Sequence, residues 1–216
     1  MKLKRLFKKK TVELQDCSSR SYFDITNTAQ IWTKNKSDDE KRMLLSYLID
    51  TILDDVCAEM VYQPLISDTS PPNYIIFPET YDEAGSRKSM LSGETVDVDL
   101  SVSKVLTCPW NNTRTPGNLL NINGNDFEFM QDNHRSVYYT DIELCQVYNG
   151  FHSINAGRYL KKGTIKSDVF RFELLYPHYV TDGLYWYNVH NGEKHSKVFD
   201  FRLAAVYSLA RMRAGY

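Results

Sequence analysis

No Cys-x-x-Cys pair occurs in this chain, and no cysteine stands at zinc-ligand spacing from a histidine. The four cysteines, Cys17, Cys57, Cys108 and Cys145, are scattered instead. Cys57 and Cys145 sit in apolar stretches and read as buried thiols, a usage that fits a reducing, cytoplasmic compartment better than secretion. No apolar run reaches the length of a membrane helix, so no membrane partner is expected. The first ten residues are basic but lack a long apolar stretch, which predicts no signal peptide. Charge of one sign is not in excess either. The net charge is -1, so overall charge does not advertise a nucleic-acid partner. Neither an internal repeat nor a low-complexity tract is present.

What the chain does hold is enough length for a core. Its 216 residues make one large domain, or one domain with a helical arm. The 42% apolar and 25% charged fractions are ordinary for a soluble globular protein. Fifteen Tyr, ten Phe and three Trp suit a fold with many strands.

The clearest local signal is a helix opened by Ser37, with Glu40 three residues on as a capping box. Met43, Leu44, Tyr47, Leu48, Ile52, Leu53, Val56, Cys57 and Met60 recur at helical spacing, and Pro64 is expected to end the run. Asp50, Asp54, Asp55 and Glu59 read as its solvated face. Ahead of it, Lys2, Lys4, Arg5, Lys8, Lys9 and Lys10 form a basic head. That head suits either a solvated terminus or contact with nucleic acid or anionic lipid. Residues 67–95 are rich in Ser, Pro, Asp and Gly, with one apolar run at Tyr74 to Phe77 read as a strand.

From Thr95 the period changes. Val96, Val98 and Leu100 alternate with Asp97, Asp99 and Ser101, as a strand does. Leu119, Leu120 and Ile122 predict a short helix, Phe127 and Phe129 an extended piece, and Asp132 to Arg135 a polar loop. Val169 to Tyr176, Leu184 to Val189 and Lys197 to Phe201 are strand-like. They are punctuated by Asp182-Gly183 and Asn191-Gly192, both hairpin signals. His178, His190 and His195 read as exposed turn histidines. Leu203, Val206, Tyr207, Leu209 and Ala210 close the chain as a helix, with Arg202, Arg211 and Arg213 on its wet side.

The stretch that bears on function runs from Ile142 to Leu160. An apolar run, Ile142 to Tyr148, reads as a buried strand that stops at the Asn149-Gly150 turn. His152 and Ser153 follow, then a segment, Ile154 to Leu160, suited to a helix. Strand, glycine turn and helix start can hold a phosphate, because glycine admits close approach and the first helical amides lack internal partners. The same residues also describe an ordinary corner with a solvated histidine.

Two stretches in order resemble the ParB/sulfiredoxin superfamily. Val96 to Val105 precedes Pro109-Trp-Asn-Asn-Thr-Arg114, similar to the family's Pro-x-x-x-x-Arg segment after a first strand. Asn149-Gly-Phe-His-Ser-Ile-Asn-Ala156 is similar to its Gly-x-His box, and Gly163 stands where relatives often have a glycine before the next strand. The likeness covers residues 95–168. It implies an α+β fold with a mixed sheet and a ParB/sulfiredoxin-like core, and a corner that grips the phosphate of a nucleotide or nucleic acid. It also implies a relative of nucleotide hydrolases, kinases or nucleases. The cofactor so implied is a nucleoside triphosphate with Mg2+. Carried over by position, Gly150 gives backbone approach, His152 contacts phosphate and Arg114 supplies charge. Asn149 and His134 are added because they are polar and flank the buried strand. The phosphate-binding set is thus Arg114, Asn149, Gly150, His152 and Ser153, and the catalytic candidates are His152 and His134.

The departures narrow that reading. The arginine of the family box is Ser153 here, which carries no charge. The cysteine that sulfinic acid reduction needs is Phe151, so that activity is not expected. Hairpins follow where partition proteins carry a DNA-binding helix-turn-helix. Asp132, Asp141 and Glu143 lie near the box in sequence, without a spacing that would bring them together on a metal.

The expected organisation has three parts. Residues 1–66 form a basic N-terminus and amphipathic helix as an N-terminal helical arm, and 67–94 an irregular connection. Residues 95–216 form the α+β body with C-terminal hairpins and a closing helix. Against the phosphate reading stands a non-catalytic interaction or inhibitor protein from a phage or mobile element, which would use the aromatic-rich surface on a protein partner.

Overall fold

The structure, a computed structural model, describes residues 19–66, 75–83 and 86–216. The basic head, Cys17 and Tyr74 lie outside the described residues. The fold is α+β, as expected. The described residues form two compact units, one of residues 19–52, 76–78 and 176–216, the other of residues 53–66, 75, 79–83 and 86–175.

The first unit contains helix α1 (residues 19–33) and the opening half of α2 (Asp38–Ile66). It also contains a three-stranded sheet and α5 (Phe201–Arg213). Sequence reading did not single out α1. The capping box at Ser37 is formed, with the Ser37 amide donating to Glu40 Oε2 at 2.9 Å and the Glu40 amide donating to Ser37 Oγ at 3.3 Å. The helix does not stop at Pro64 but runs two residues further, with Pro64 in its last turn. Its buried stripe is also turned from the expected one. Leu45, Ile49, Leu53, Val56 and Cys57 are buried, whereas Met43 and Tyr47 face solvent and Tyr47 stacks on Trp32. The sequence offers apolar residues on more than one side, and packing selects the i, i+4 row.

Strands β8 (Tyr179–Thr181), β9 (Tyr185–Asn188) and β10 (Lys194–Lys197) are joined by hairpins at the two expected turns, although the last strand ends at Lys197 where Lys197 to Phe201 was expected to be one, and Phe201 instead opens α5. Asp200 caps α5, accepting from the Arg202 amide at 2.8 Å. The arginines placed on a wet side are half-buried and partnered: Arg202 pairs with Asp200, Arg211 donates to Tyr176 O, and Arg213 donates to Ser46 Oγ. His178 and His190 are paired rather than independent turn residues, with Nδ1 and Nε2 2.9 Å apart.

The second unit carries the corner. A hairpin of β1 (Thr80–Glu83) and β2 (Ser86–Ser89) replaces part of the expected irregular connection, and no strand forms at Ile75 to Phe77. The main sheet contains β3 (Leu91–Asp99), β4 (Lys104–Leu106), β5 (Arg135–Tyr139), β6 (Leu144–Asn149) and β7 (Thr164–Phe170), in the order β3-β7-β5-β6-β4. It is mixed: β4 runs parallel to β6 and β5 to β7, while β3–β7 and β5–β6 are antiparallel. Between the strands come α3 (Thr115–Gly124) and α4 (Phe151–Leu160). Gly163 lies immediately before β7.

One sheet face supplies Val98, Val105, Cys145, Val147 and Ile165 to a core closed by Phe151 and Ile154 of α4. Alternation along the strands puts these side chains on one side. Two expectations fail nearby. Phe127 and Phe129 are not in a strand, and of Val169 to Tyr176 only Val169 and Phe170 are strand, with Phe172–Leu175 a 3-10 helix. His134, expected in a polar loop, is buried because both Phe rings pack on it.

Candidate functional site

The apolar run of β6 buries Leu144 to Val147, and the chain emerges at Tyr148 and Asn149. Gly150 then turns it into α4 with φ +82° and ψ +23°, the left-handed region that residues with a Cβ avoid. A Cβ there would lie 2.6 Å from His134 Cδ2 and 2.7 Å from Asn133 O. Glycine is therefore required twice, by dihedral and by space. A register shift in the β5–β6 ladder falls at Arg135 and Ser136, opposite this bend. Bulges of that kind re-aim a strand end. On the inner side, Thr107 Oγ1 donates to Phe151 O at 3.1 Å and ties the start of α4 to the sheet.

His134 holds the bend from behind. Its Nδ1 accepts the Met130 amide at 3.0 Å, which leaves the proton on Nε2. Nε2 then donates to Ser153 Oγ at 2.8 Å, and Ser153 Oγ donates to Gly150 O at 3.1 Å. The ring stacks on Phe127 and is 2% exposed. Both nitrogens are thus engaged. Burial lowers the pKa of His134, which keeps the ring neutral and matches this tautomer. The geometry gives His134 a positioning role. It also commits the Ser153 hydroxyl to Gly150 O, so what Ser153 offers outward is its main-chain amide.

In front of the bend lies a cavity of about 330 Å3. Arg114, Asn149, Gly150, His152 and Ser153 all line it, so five sequence candidates converge there. His134 does not line it. Trp110, Asn118, Asn133 and Tyr148 line it too and are not among the sequence candidates. A signal existed for two: Trp110 lies inside the Pro109 to Arg114 segment, and Asn118 stands one helical turn after Arg114. Nothing local marks Asn133, which the β5–β6 pairing brings in. Asp132, Asp141 and Glu143 are not among the lining residues.

Two helices begin at this cavity. Arg114 is the N-cap of α3, and Thr115 Oγ1 is 3.5 Å from His152 Nδ1 in the first turn of α4. Neither helix has an acidic residue in its first turn, whereas α2 has Asp38, Asp39 and Glu40. The amides of Phe151, His152 and Ser153 have no acceptor among the described residues. Such a pair of helix N-termini carries partial positive charge. Arg114 adds a full charge to it. Its guanidinium lies 5.9 Å from the Trp110 ring, and no carboxylate lines the cavity beside it.

His152 is 9% exposed and tilts against Trp110. Burial, and then the positive charge of Arg114, lowers its pKa, so the ring is neutral at pH 7. Its Nδ1 reaches Thr115 at the outer limit of a hydrogen bond, and its buried Nε2 has no partner. Buried ring nitrogens usually find one. His152 Nε2 is thus a buried polar atom with hydrogen-bonding capacity left over beside a concentration of positive potential.

The residues fit an anion with several acceptor oxygens. They do not fit a metal held by the protein. No carboxylate lines the cavity, and among the described residues no group of three or more His, Cys, Asp or Glu side chains could hold an ion. No helix among the described residues is long and apolar enough to cross a membrane.

Residues 5–215 match a family described as a family of unknown function, DUF6710, and the chain belongs to it. No curated protein and no solved structure matches the chain.

Proposed function

We propose that the cavity at the heads of α3 and α4 binds the phosphate of a nucleotide or nucleic acid, in the manner of a ParB/sulfiredoxin-like Gly-x-His corner. One observation carries the reading. Two helix N-termini without acidic residues meet Arg114 and the partnerless Nε2 of His152 around one cavity. Open amides and helix dipoles favour an anion, and a guanidinium gives it two parallel donors. Gly150 lets the anion approach the backbone. Asn149 Oδ1 accepts the Gly150 amide at 3.0 Å and steadies the bend from the strand side.

Among the lining residues His152 is the side chain suited to general acid–base work, and burial beside Arg114 favours its neutral form, so a proton transfer at the bound phosphate is placed on it. A neutral Nε2 either accepts a proton from a ligand hydroxyl or, once protonated, donates to a phosphate oxygen. A triphosphate with Mg2+ would bring its metal already bound to its own phosphates, because the cavity supplies no ligand for it.

The test is calorimetric titration of the full chain with inorganic phosphate, nucleotides and a short single strand. Removing a charged hydrogen bond costs about 1.5–3 kcal/mol, so Arg114→Ala weakens binding roughly 10- to 100-fold. His152→Ala weakens it as well. Binding that is absent, or unchanged by both substitutions, refutes the reading and leaves the interaction protein as the alternative.

A further inference from the structure

We infer that the ligand class of this cavity is a nucleotide unit carrying a single phosphate, either a nucleoside monophosphate or one link of a single strand, with its base laid against Tyr148. The inference rests on the phosphate-binding reading above and narrows it.

Charge decides the number of phosphates. Arg114 brings one positive charge, and two helix N-termini bring about half a charge each, so the cavity offers roughly two. That matches a phosphate monoester dianion and exceeds what a diester needs. A triphosphate carries about four negative charges and relies on a metal held partly by carboxylates, and no lining residue is acidic. The leftover hydrogen-bonding capacity is also small. His152, nine-tenths buried, lines the cavity with one partnerless ring nitrogen, enough for one phosphate oxygen or one sugar hydroxyl. At about 330 Å3 the space lies at the low end of ligand pockets, which run from about 300 to 1,000 Å3.

Tyr148 supplies the place for a base. It stands two residues before Gly150 and is 44% exposed. Its hydroxyl donates to Asp168 Oδ2 at 3.4 Å, which holds the ring against the sheet. The ring borders three spaces at once: the cavity at the helix heads and two grooves on the open sheet face, each of about 410 Å3. One of those grooves is lined by Arg135 and Lys166 and also by Asp132 and Asp168, so its charges balance and it adds no second phosphate site. An exposed tyrosine beside a phosphate site, facing grooves with no excess of positive charge, is a stacking platform for a base rather than for a further phosphate.

The experiment titrates the full chain with inorganic phosphate, AMP, ATP with and without Mg2+, and a 5'-phosphorylated thymidine hexanucleotide. AMP is expected to bind at least as tightly as ATP, with no gain from Mg2+. Tyr148→Ala is expected to weaken AMP by about tenfold or more while leaving inorganic phosphate unchanged, and Tyr148→Phe to retain AMP. A hexanucleotide tighter than AMP identifies a strand as the source, and one equal or weaker identifies the mononucleotide. Mg2+-ATP binding tenfold tighter than AMP overturns the single-phosphate inference while the phosphate site stands. A Tyr148→Ala effect equal on AMP and phosphate, or absent on both, overturns the stacking. Failure of all these ligands to bind removes the phosphate reading and this one with it.

Discussion

Gly150→Ala should damage the protein by both dihedral and space, and the size of the loss can be worked out. Moving a residue with a Cβ into the left-handed region costs about 1–2 kcal/mol. The added carbon would also sit 2.6 Å from His134 Cδ2 and 2.7 Å from Asn133 O. Neither neighbour retreats freely. Asn133 presents main chain, and His134 is held by two hydrogen bonds and packed against two phenyl rings. Forced repacking of that kind costs about 1–3 kcal/mol. The sum is about 2–5 kcal/mol, a large share of the roughly 5–15 kcal/mol that holds a domain folded.

Two controls separate the terms. Gly93 has φ +80° with nothing within 4 Å of an added Cβ, so Gly93→Ala should lose only the dihedral part. Gly117, inside α3 with open space around it, should gain about 0.5–1 kcal/mol as alanine. Urea unfolding gives the global values. Hydrogen exchange at the Ile154 amide, which donates to Gly150 O at 3.0 Å, reads the corner itself. If Gly150→Ala costs no more than Gly93→Ala, the steric argument is wrong. If it costs nothing, the account of the bend is wrong as a whole.

Other predictions follow from the same geometry. His134 and His152 both have folded pKa values below the ordinary 6.5, so below that pH the unfolded chain binds more protons than the folded one. Stability is therefore flat above about pH 6.5 and falls as pH drops towards the folded values. Urea midpoints at pH 5, 6 and 7.5 should show that fall, and it should shrink in a His134→Gln, His152→Asn double variant. An unchanged slope would refute the assignment. His152→Phe keeps a ring and removes the orphaned Nε2, so it should be as stable as the parent or more so, yet bind phosphate less well. Loss of both properties together would instead mean a structural histidine. Ser37→Ala removes the α2 cap and should cost about 1 kcal/mol by thermal or urea unfolding.

Local chemistry was enough to determine several elements from sequence. Ser37 and Glu40 close a capping box that needs only four consecutive residues. Asp182-Gly183 and Asn191-Gly192 mark hairpins through the turns they favour. The Gly150 bend is announced by an apolar run stopping at Asn-Gly, with a helix start beyond it. Tertiary structure decided what depends on neighbours far along the chain. Which stripe of α2 is buried, whether Phe127 and Phe129 form a strand, and where the arginines of α5 end depend on what packs against them. The site divides in the same way. Gly150, His152 and Ser153 are legible because they share one turn. Arg114, carried by the resemblance, reaches them only because parallel pairing of β4 with β6 sets the heads of α3 and α4 side by side. His134 could be picked as polar and near the strand. Its role is set by both ring nitrogens finding partners, which no spacing in the sequence encodes. The contact between Thr115 and His152 exists only after the sheet has formed, and that is why the meeting of the α3 and α4 heads was not readable before the fold was.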